Sequence, residues 1–292
     1  MNCLICDGSM VFFLSKPFWA HGLEVVDYWR CMGCGFVVSK THVEMAPDTW
    51  AKVNYEYHAS YQGKESDPGD PNWIARLQNQ SRMINDVEEI GLLNRDDRWL
   101  DYGCGDGKLS ALLQSEYNLR LLKYERYMPR SEDYLDSREL LPNTFDFVIS
   151  TSVFEHFARR EQFNAVHELV SERGVLGLHT LVCEAVPLDP TWYYMLPVHS
   201  AFHTNKSMEI LFHQWGYTCS VYNVDAQLWL WFRRDPEDVE NIIQRANARS
   251  NKPYYVFKAG FVDYLRVPKS SYECFMPPGG FLRSWISQAW TG

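Results

Sequence analysis

The sequence predicts an α/β fold, in which buried strands alternate with helices, and three stretches predict it. In the first, apolar Trp99 and Leu100 end a strand, Asp101 follows, and Gly103, Gly105 and Gly107 stand at every second position. Leu109, Leu112 and Leu113 then recur at helical spacing, so the stretch reads strand, tight turn, helix. In the second, the mostly apolar run from Leu119 to Tyr124 is a buried strand ended by Glu125. In the third, Phe145-Asp146-Phe147-Val148-Ile149-Ser150 leads into Val153-Phe154-Glu155-His156.

Glycine lets the backbone of such a turn take unusual φ/ψ, and lets a ligand lie against the main chain at the positive end of a helix. Glu125 stands at about the distance past the glycines at which an acid accepts hydrogen bonds from both hydroxyls of a ribose. A dinucleotide fingerprint would carry its third glycine at position 108, where Lys108 stands instead. The spacing Asp-x-Gly-x-Gly-x-Gly resembles motif I of class I S-adenosyl-L-methionine (SAM)-dependent methyltransferases. The third stretch resembles the strand-4 motif of the same enzymes, Phe-Asp-x-Val followed by Leu-Glu-His. This resemblance implies a Rossmann-like SAM-dependent methyltransferase core, a seven-stranded sheet with an antiparallel last strand, and SAM as cofactor. The residues it assigns to cofactor binding are Asp101, Gly103, Gly105, Gly107, Glu125 and Ser150.

The 292 residues are 46% hydrophobic and 15% aromatic, enough apolar material for a sizeable core. A formal net charge of −9 argues against a nonspecific grip on a phosphate backbone. No apolar run approaches the roughly 18 residues of a membrane span. The start, Met1-Asn2-Cys3-Leu4-Ile5-Cys6, lacks the basic-then-apolar pattern of a secretory signal, so a cytoplasmic location is expected.

From the N-terminus, Cys3-x2-Cys6 and Cys31-x2-Cys34 place four of the chain's eight cysteines ahead of Gly35. Each pair has the spacing to put two thiolates on one ion, with Gly8, Gly33 and Gly35 at the tight knuckles. Strands are expected at 10–14 and 24–29. So small a piece has too little core to fold alone, and structural Zn2+ on Cys3, Cys6, Cys31 and Cys34 supplies the missing stability, making residues 1–40 a zinc-ribbon module. Disulfides are disfavoured in a reducing compartment; buried reduced thiols are the other reading.

Residues 41–95 read as a helical lid and linker. Tyr55, Tyr57, His58 and Tyr61 cluster there, and in related methyltransferases tyrosines shortly before motif I often sit over the SAM site. Asp70 and Pro71 start a helix with Trp73, Ile74, Leu77, Ile84 and Val87 on one face, ending near Gly91. The stretch between Glu125 and Phe145 is too short for a full helix, strand and loop, so the third strand of the fold must be abbreviated. A helix is expected from Arg160 to Arg173, closed by Gly174, then a strand from Val175 to Val182. The loop that follows holds Trp192, Tyr193, Tyr194, His199, Phe202 and His203. A loop this long in a compact domain is usually functional, and one beyond the carboxyl end of a central strand walls the substrate pocket. A helix over 208–215 and strands over 217–224 and 227–232 complete a core of residues 96–232. The extension 233–292 lies outside that core, with a helix starting at Asp235-Pro236.

Methyl transfer needs a nucleophile in line with the SAM sulfonium and a base for the proton that the acceptor loses; imidazole suits the second task. His199 and His203, four apart in the pocket loop, are the leading base candidates, with His156 and Glu155 on the pocket floor. Glu155, His156 and one loop histidine also form a donor set for a divalent ion. Similar strand-4 motifs in ubiquinone-pathway O-methyltransferases and small-RNA 2′-O-methyltransferases read Glu-x-x-Glu-His and hold one, although Ser152 stands here at the first glutamate position.

A four-cysteine module before such a core resembles the sugar C-methyltransferases of deoxysugar and antibiotic pathways. The leading expectation is therefore base-assisted methylation of a small molecule, a sugar or natural-product intermediate. An RNA base methyltransferase with a zinc module is the alternative, but residues 1–40 offer only Lys16, Arg30 and Lys40 against Asp7, Glu24 and Asp27. A noncatalytic SAM-binding or protein-docking module is the third reading.

Overall fold

A computed structural model describes residues 1–19, 21–61, 71–128, 130–249 and 255–264. The helix start expected at Asp70 and the end of the extension, residues 265–292, lie outside the described residues, as does the side chain of Tyr61.

The N-terminal part contains β1 (Met10–Pro17), β2 (Val25–Cys31), β3 (Val37–Ser39), α1 (Lys40–Glu44), α2 (Pro47–Tyr61) and α3 (Pro71–Glu89). The α/β part follows with β4 (Trp99–Tyr102), α4 (Lys108–Tyr117), β5 (Leu122–Tyr124), β6 (Phe145–Thr151), α5 (Arg160–Leu169) and β7 (Val170–His179). Then come β8 (Val182–Cys183), β9 (Ala201–Thr204), α6 (Asn205–Gln214), β10 (Cys219–Asn223), β11 (Leu228–Phe232), α7 (Pro236–Ala248) and β12 (Tyr255–Lys258).

The central sheet has seven strands in the order β12-β10-β11-β7-β6-β4-β5. β5, β4, β6 and β7 are mutually parallel, while β11 runs antiparallel to β7. That arrangement is the Rossmann-like methyltransferase fold with its reversed strand. Leu100, Phe147, Val148 and Ile149 are wholly buried because both faces of these strands are covered. One apolar layer joins α3, α4 and α7 to the sheet, and the other holds Phe154, Phe163, Phe212 and Trp231.

The edges differ from expectation in two ways. Where the third strand of the fold would pair beside β5, there is only an isolated parallel bridge, Lys123 to Tyr134. A crossover with its helix takes about a dozen residues before any strand is added, and the described residues of 126–144 hold one short 3-10 turn, Ser137–Glu139. The seventh strand is instead β12, from the extension expected outside the core, which pairs antiparallel with β10.

Helix α5 also stops at Leu169, short of the expected end at Arg173. Val170 is extended (φ −70°, ψ 124°) and fully buried, because β7 begins there: Val170 pairs with Phe145 and Val175 with Phe147, the residues between forming a bulge. Gly174 permits the bulge, since a Cβ there would lie 2.8 Å from Val170 Cγ1 and 3.0 Å from the Asp146 carbonyl oxygen.

A second sheet, β1-β2-β3-β9-β8, carries the N-terminal hairpin. Its β9 comes from the segment predicted as loop, and pairs Phe202 with Val37 and Ala201 with Val38. Leu14, Val26, Tyr28, Trp50, Val198 and Phe202 pack together, joining hairpin, α2 and the post-β7 segment in one core. No helix among the described residues is long and apolar enough to cross a membrane.

Candidate active site

At the carboxyl ends of β4–β7, beneath α2 and α3, lies a cavity of about 1340 Å³. One wall is the glycine turn. Gly103, Gly105 and Gly107 all have positive φ (75°, 57° and 74°), and a Cβ would lie 2.6 Å from Val153 Cγ2 at Gly103 and 2.7 Å from Lys123 Cδ at Gly107. The turn is tied to the next strand: the Gly103 and Cys104 amides donate to the Tyr124 carbonyl, at 2.8 and 3.1 Å. The Tyr134 hydroxyl, from the abbreviated segment, donates to the Gly105 carbonyl at 3.1 Å.

Glu125 faces the cavity and clamps this turn to its own. Its Oε2 accepts from the Gly105 amide at 3.0 Å, and its Oε1 from the Arg126 and Tyr127 amides, both at 2.8 Å, and from that of Met128 at 3.4 Å. Oε2 has a single donor for its two lone pairs, so an acceptor position remains there for a ligand. Asp101, 2% exposed, also lines the cavity, and its Oδ1 has no hydrogen-bond partner. Burial, and secondarily the Glu125 charge, pushes its carboxyl up to about 8. A positive-φ cradle, an unpartnered buried carboxylate oxygen and an acid after the second strand fit SAM, a cationic nucleoside. Of the residues assigned to the cofactor, Asp101, Gly103, Gly105 and Glu125 line the cavity, while Gly107 faces Lys123 and Tyr134 behind the turn. Ser150 does not reach the cavity; it is buried within β6, its Oγ unpartnered.

The opposite wall is polar. After β6 the chain turns through Ser152, a non-glycine residue at φ 56°, into a 3-10 turn, Phe154–His156. Glu155 is buried; its Oε1 accepts from the Tyr194 hydroxyl at 2.7 Å and its Oε2 from the Thr180 hydroxyl at 3.0 Å. Burial raises its pKa. His199 Nδ1 lies 2.7 Å from the Tyr194 carbonyl oxygen, which only accepts, so Nδ1 carries the hydrogen and Nε2 keeps its lone pair. The His199 ring stands edge-on to His156 at 5.0 Å between centroids, and His156 lies 5.3 Å from His58 of α2. Burial depresses all three imidazoles, that of His199 to about 3. They are neutral at pH 7.

His203 is not part of this wall. On β9 it turns into the core among Phe36, Phe154 and Phe163, at 5.1, 6.2 and 5.6 Å, with neither ring nitrogen hydrogen-bonded. The i, i+4 spacing that paired it with His199 assumed a loop, whereas the strand fixes its direction. Sequence reasoning missed the roles of Tyr194 and Thr180 as partners of Glu155. The only signal for Tyr194 was its place in the aromatic run. His58 was read as part of the lid, and its position beside His156 follows from how α2 packs.

At the far end of the second sheet, Cys3 and Cys34 bring their sulfurs to 3.7 Å, and Cys6 and Cys31 to 3.4 Å; all four lie within 4.8 Å of one another. Tetrahedral thiolates at about 2.3 Å from zinc sit roughly 3.8 Å apart. The Ile5 amide points at Cys3 Sγ, and those of Gly33 and Cys34 at Cys31 Sγ, over 3.3–3.4 Å, so the knuckle backbone already solvates thiolate charge. A Cβ at Gly8 would press on two of the sulfurs, at 3.2 and 3.3 Å. The donor set fits zinc.

The methyltransferase domain family model matches residues 75–220. Among solved structures, CurJ carbon methyltransferase is 15% identical, over 53% of this chain and 52% of its own, with a TM-score of 0.37. Phosphoethanolamine N-methyltransferase 2 of Haemonchus contortus, in complex with SAM, is 12% identical over 96% of this chain and 64% of its own, with a TM-score of 0.45. Magnesium protoporphyrin IX methyltransferase of Synechocystis is 14% identical over 64% and 97%, with a TM-score of 0.42. The chain thus spans about half the length of the first of these and under two thirds of the second. A search of curated proteins found no match. The matched region takes in half of the chain, from α3 through the glycine turn to the first residues of β10, and that extent places this protein in the methyltransferase domain family.

Proposed function

We propose that the enzyme methylates a small molecule, a sugar or natural-product intermediate, held between the glycine turn and the polar wall of Glu155, His156 and His199. One observation carries this reading: a single cavity runs from Asp101 and Glu125 to that wall. At about 1340 Å³ it exceeds the roughly 300–1,000 Å³ of a single-ligand site, leaving room for cofactor and acceptor together. Trp73, Tyr57, Trp192 and Tyr193 line it, giving flat apolar surfaces suited to a ring-shaped acceptor.

When bound, SAM supplies an electrophilic methyl group. Asp101 and Glu125 hold its polar groups, and α2 and α3 exclude water from above. The acceptor atom approaches from the Glu155 side, and its proton leaves at the polar wall, where His199 presents the Nε2 lone pair. Tyr194 fixes that orientation through its carbonyl and holds Glu155 through its hydroxyl.

A small acceptor is favoured over RNA by the net charge of −9. Lys16, one of the few cations of the N-terminal module, is moreover engaged, its Nζ donating to the Met195 carbonyl at 2.7 Å. Zinc on Cys3, Cys6, Cys31 and Cys34 stabilises that module, and the chain divides by this reading into 1–40, 41–95, 96–232 and an extension, 233–292, whose β12 completes the central sheet. The deciding experiment is transfer of radiolabelled methyl from SAM to a panel of nucleotide sugars, free metabolites and RNA. Label on RNA and on no small molecule would refute the assignment.

A further inference from the structure

We propose that Glu155, His156 and His199 bind one divalent transition-metal ion at the acceptor side of the cavity. The inference deepens the reading of this cavity as the acceptor site and rests on it. The donor atoms of the three residues lie within 4.8 Å of one another, whereas ligands at about 2.0–2.2 Å from a single ion stand at most roughly 4.4 Å apart. A few tenths of an ångström of movement closes the site. All three are buried (1%, 8% and 7% exposed) yet border the cavity.

Three further features suit an ion. His156 Nδ1 is buried with no hydrogen-bond partner, a polar atom left for a ligand to satisfy. His199 donates its other ring nitrogen to the Tyr194 carbonyl, the arrangement by which a metal-ligating imidazole is aimed and its tautomer fixed. The Glu155 carboxylate is oriented by two neutral hydroxyls, of Tyr194 and Thr180, which fix its plane, and the Arg76 guanidinium of α3 is the cation that acts on its charge. Tyr194 thus braces two of the three ligands at once, from one buried side chain and its own backbone.

Two imidazoles and one carboxylate select manganese, ferrous iron, cobalt or zinc over the all-oxygen ions magnesium and calcium. With three protein ligands, the remaining coordination positions face the cavity. The acceptor this implies carries an oxygen, as a hydroxyl, enol or carbonyl, at or next to the atom that is methylated, and the ion holds that oxygen. With the ion bound, the His199 Nε2 lone pair serves it as a ligand in place of taking the proton, and the ion makes the bound oxygen acidic enough to release its proton to water in the cavity.

The test is titration of the purified full chain, its cysteine-bound zinc left in place, with Mn(II) followed by electron paramagnetic resonance. Mn(II) has little affinity for thiolates and leaves the cysteine site alone. The expected result is one bound Mn(II) per chain, weakened at least about tenfold in Glu155→Gln and in His199→Gln, about 10- to 100-fold in Tyr194→Phe, and unchanged in His213→Gln, an exposed side chain of α6. Should the first two variants fail to fold, Mn(II) broadening of histidine ring signals in the wild type reads the site directly: His156 and His199 broaden and His213 does not. No bound Mn(II), equal binding in Glu155→Gln and His199→Gln, or broadening that spares His156 and His199 would overturn the inference; His58, 5.3 Å from His156, broadens with them. Calorimetry of SAM on the same samples separates the two claims. Intact SAM binding without Mn(II) removes only the ion, whereas absent SAM binding removes the reading of the cavity itself.

Discussion

Asp101→Asn should make the free protein more stable and a poorer binder of SAM. The side chain is wholly buried, one oxygen has no partner, and its carboxyl is pushed from 3.8 up to about 8 by burial and then by Glu125. A raised folded-state pKa in an acid means that the unfolded chain releases the proton first. Stability is therefore intact near pH 4 and is lost progressively as pH climbs toward 8. At pH 7 the unfolded side chain lies about three pH units above its pKa and the folded one just below, a penalty of about 4 kcal/mol at 1.36 kcal/mol per unit. The isosteric amide removes that penalty. Urea unfolding of both proteins from pH 5 to 8 should show a stability difference that grows with pH, while calorimetry shows SAM weakened about 10- to 100-fold, the equivalent of one hydrogen bond to a charged group. Subtracting wild type from variant cancels the other groups that titrate in this range, the depressed histidines among them. A difference that stays flat with pH would refute the buried-charge account, and undiminished SAM affinity would refute the role in binding.

Two further outcomes follow from the same geometry. Glu125→Ala should weaken SAM and S-adenosylhomocysteine about 10- to 100-fold by calorimetry. It should also lower the urea midpoint, because four backbone amides lose their acceptor; unchanged affinity would mean that the ribose lies elsewhere. His199→Gln should leave SAM affinity as it is and slow methyl transfer about 10²- to 10⁴-fold once an acceptor is in hand, with full turnover in the variant excluding it from the chemistry.

What was legible in the sequence was local. Asp101 through Gly107 declares a strand, turn and helix because the alternating glycines admit no other packing against Val153 and Lys123. The shortage of residues after Glu125 announced the missing third strand. What the sequence hid depends on partners distant in the chain. Ala201–Thr204 is polar enough to pass for loop and becomes a strand only because Val37 and Val38, far earlier in the chain, offer it an edge. That pairing sends His203 into the aromatic core and leaves His199 at the cavity, a distinction invisible at the level of spacing. Similarly, β12 needs the open edge of β10, and His58 needs α2 to fold over the β6 turn before it meets His156.

The same long-range pairing ties the cysteine module to the polar wall of the cavity. The Cys34 carbonyl accepts from the Thr204 hydroxyl at 2.6 Å, and the Gly33 carbonyl from Lys206 Nζ at 2.7 Å. The Ser39 amide donates to the Ser200 carbonyl at 2.7 Å, and His42 Nε2 sits 3.0 Å from the Pro197 carbonyl. Residues 195–204, which carry His199, are therefore held on both sides by the module, whereas the glycine turn and Glu125 make none of these bonds. Structural zinc in small modules is worth about 10–16 kcal/mol, as much as the whole stability of an ordinary domain, so losing it should melt the module and release this segment. In Cys31→Ser, or after chelation, hydrogen exchange should quicken across 10–39 and 195–204 and stay slow across 99–125, with SAM affinity kept and methyl transfer lost. Wild-type protein should carry one zinc on these sulfurs by elemental analysis and resist alkylation at Cys3 and Cys31. Uniform protection after zinc loss would show that the module folds without metal, and uniform exposure would show that the two halves of the site are not separable.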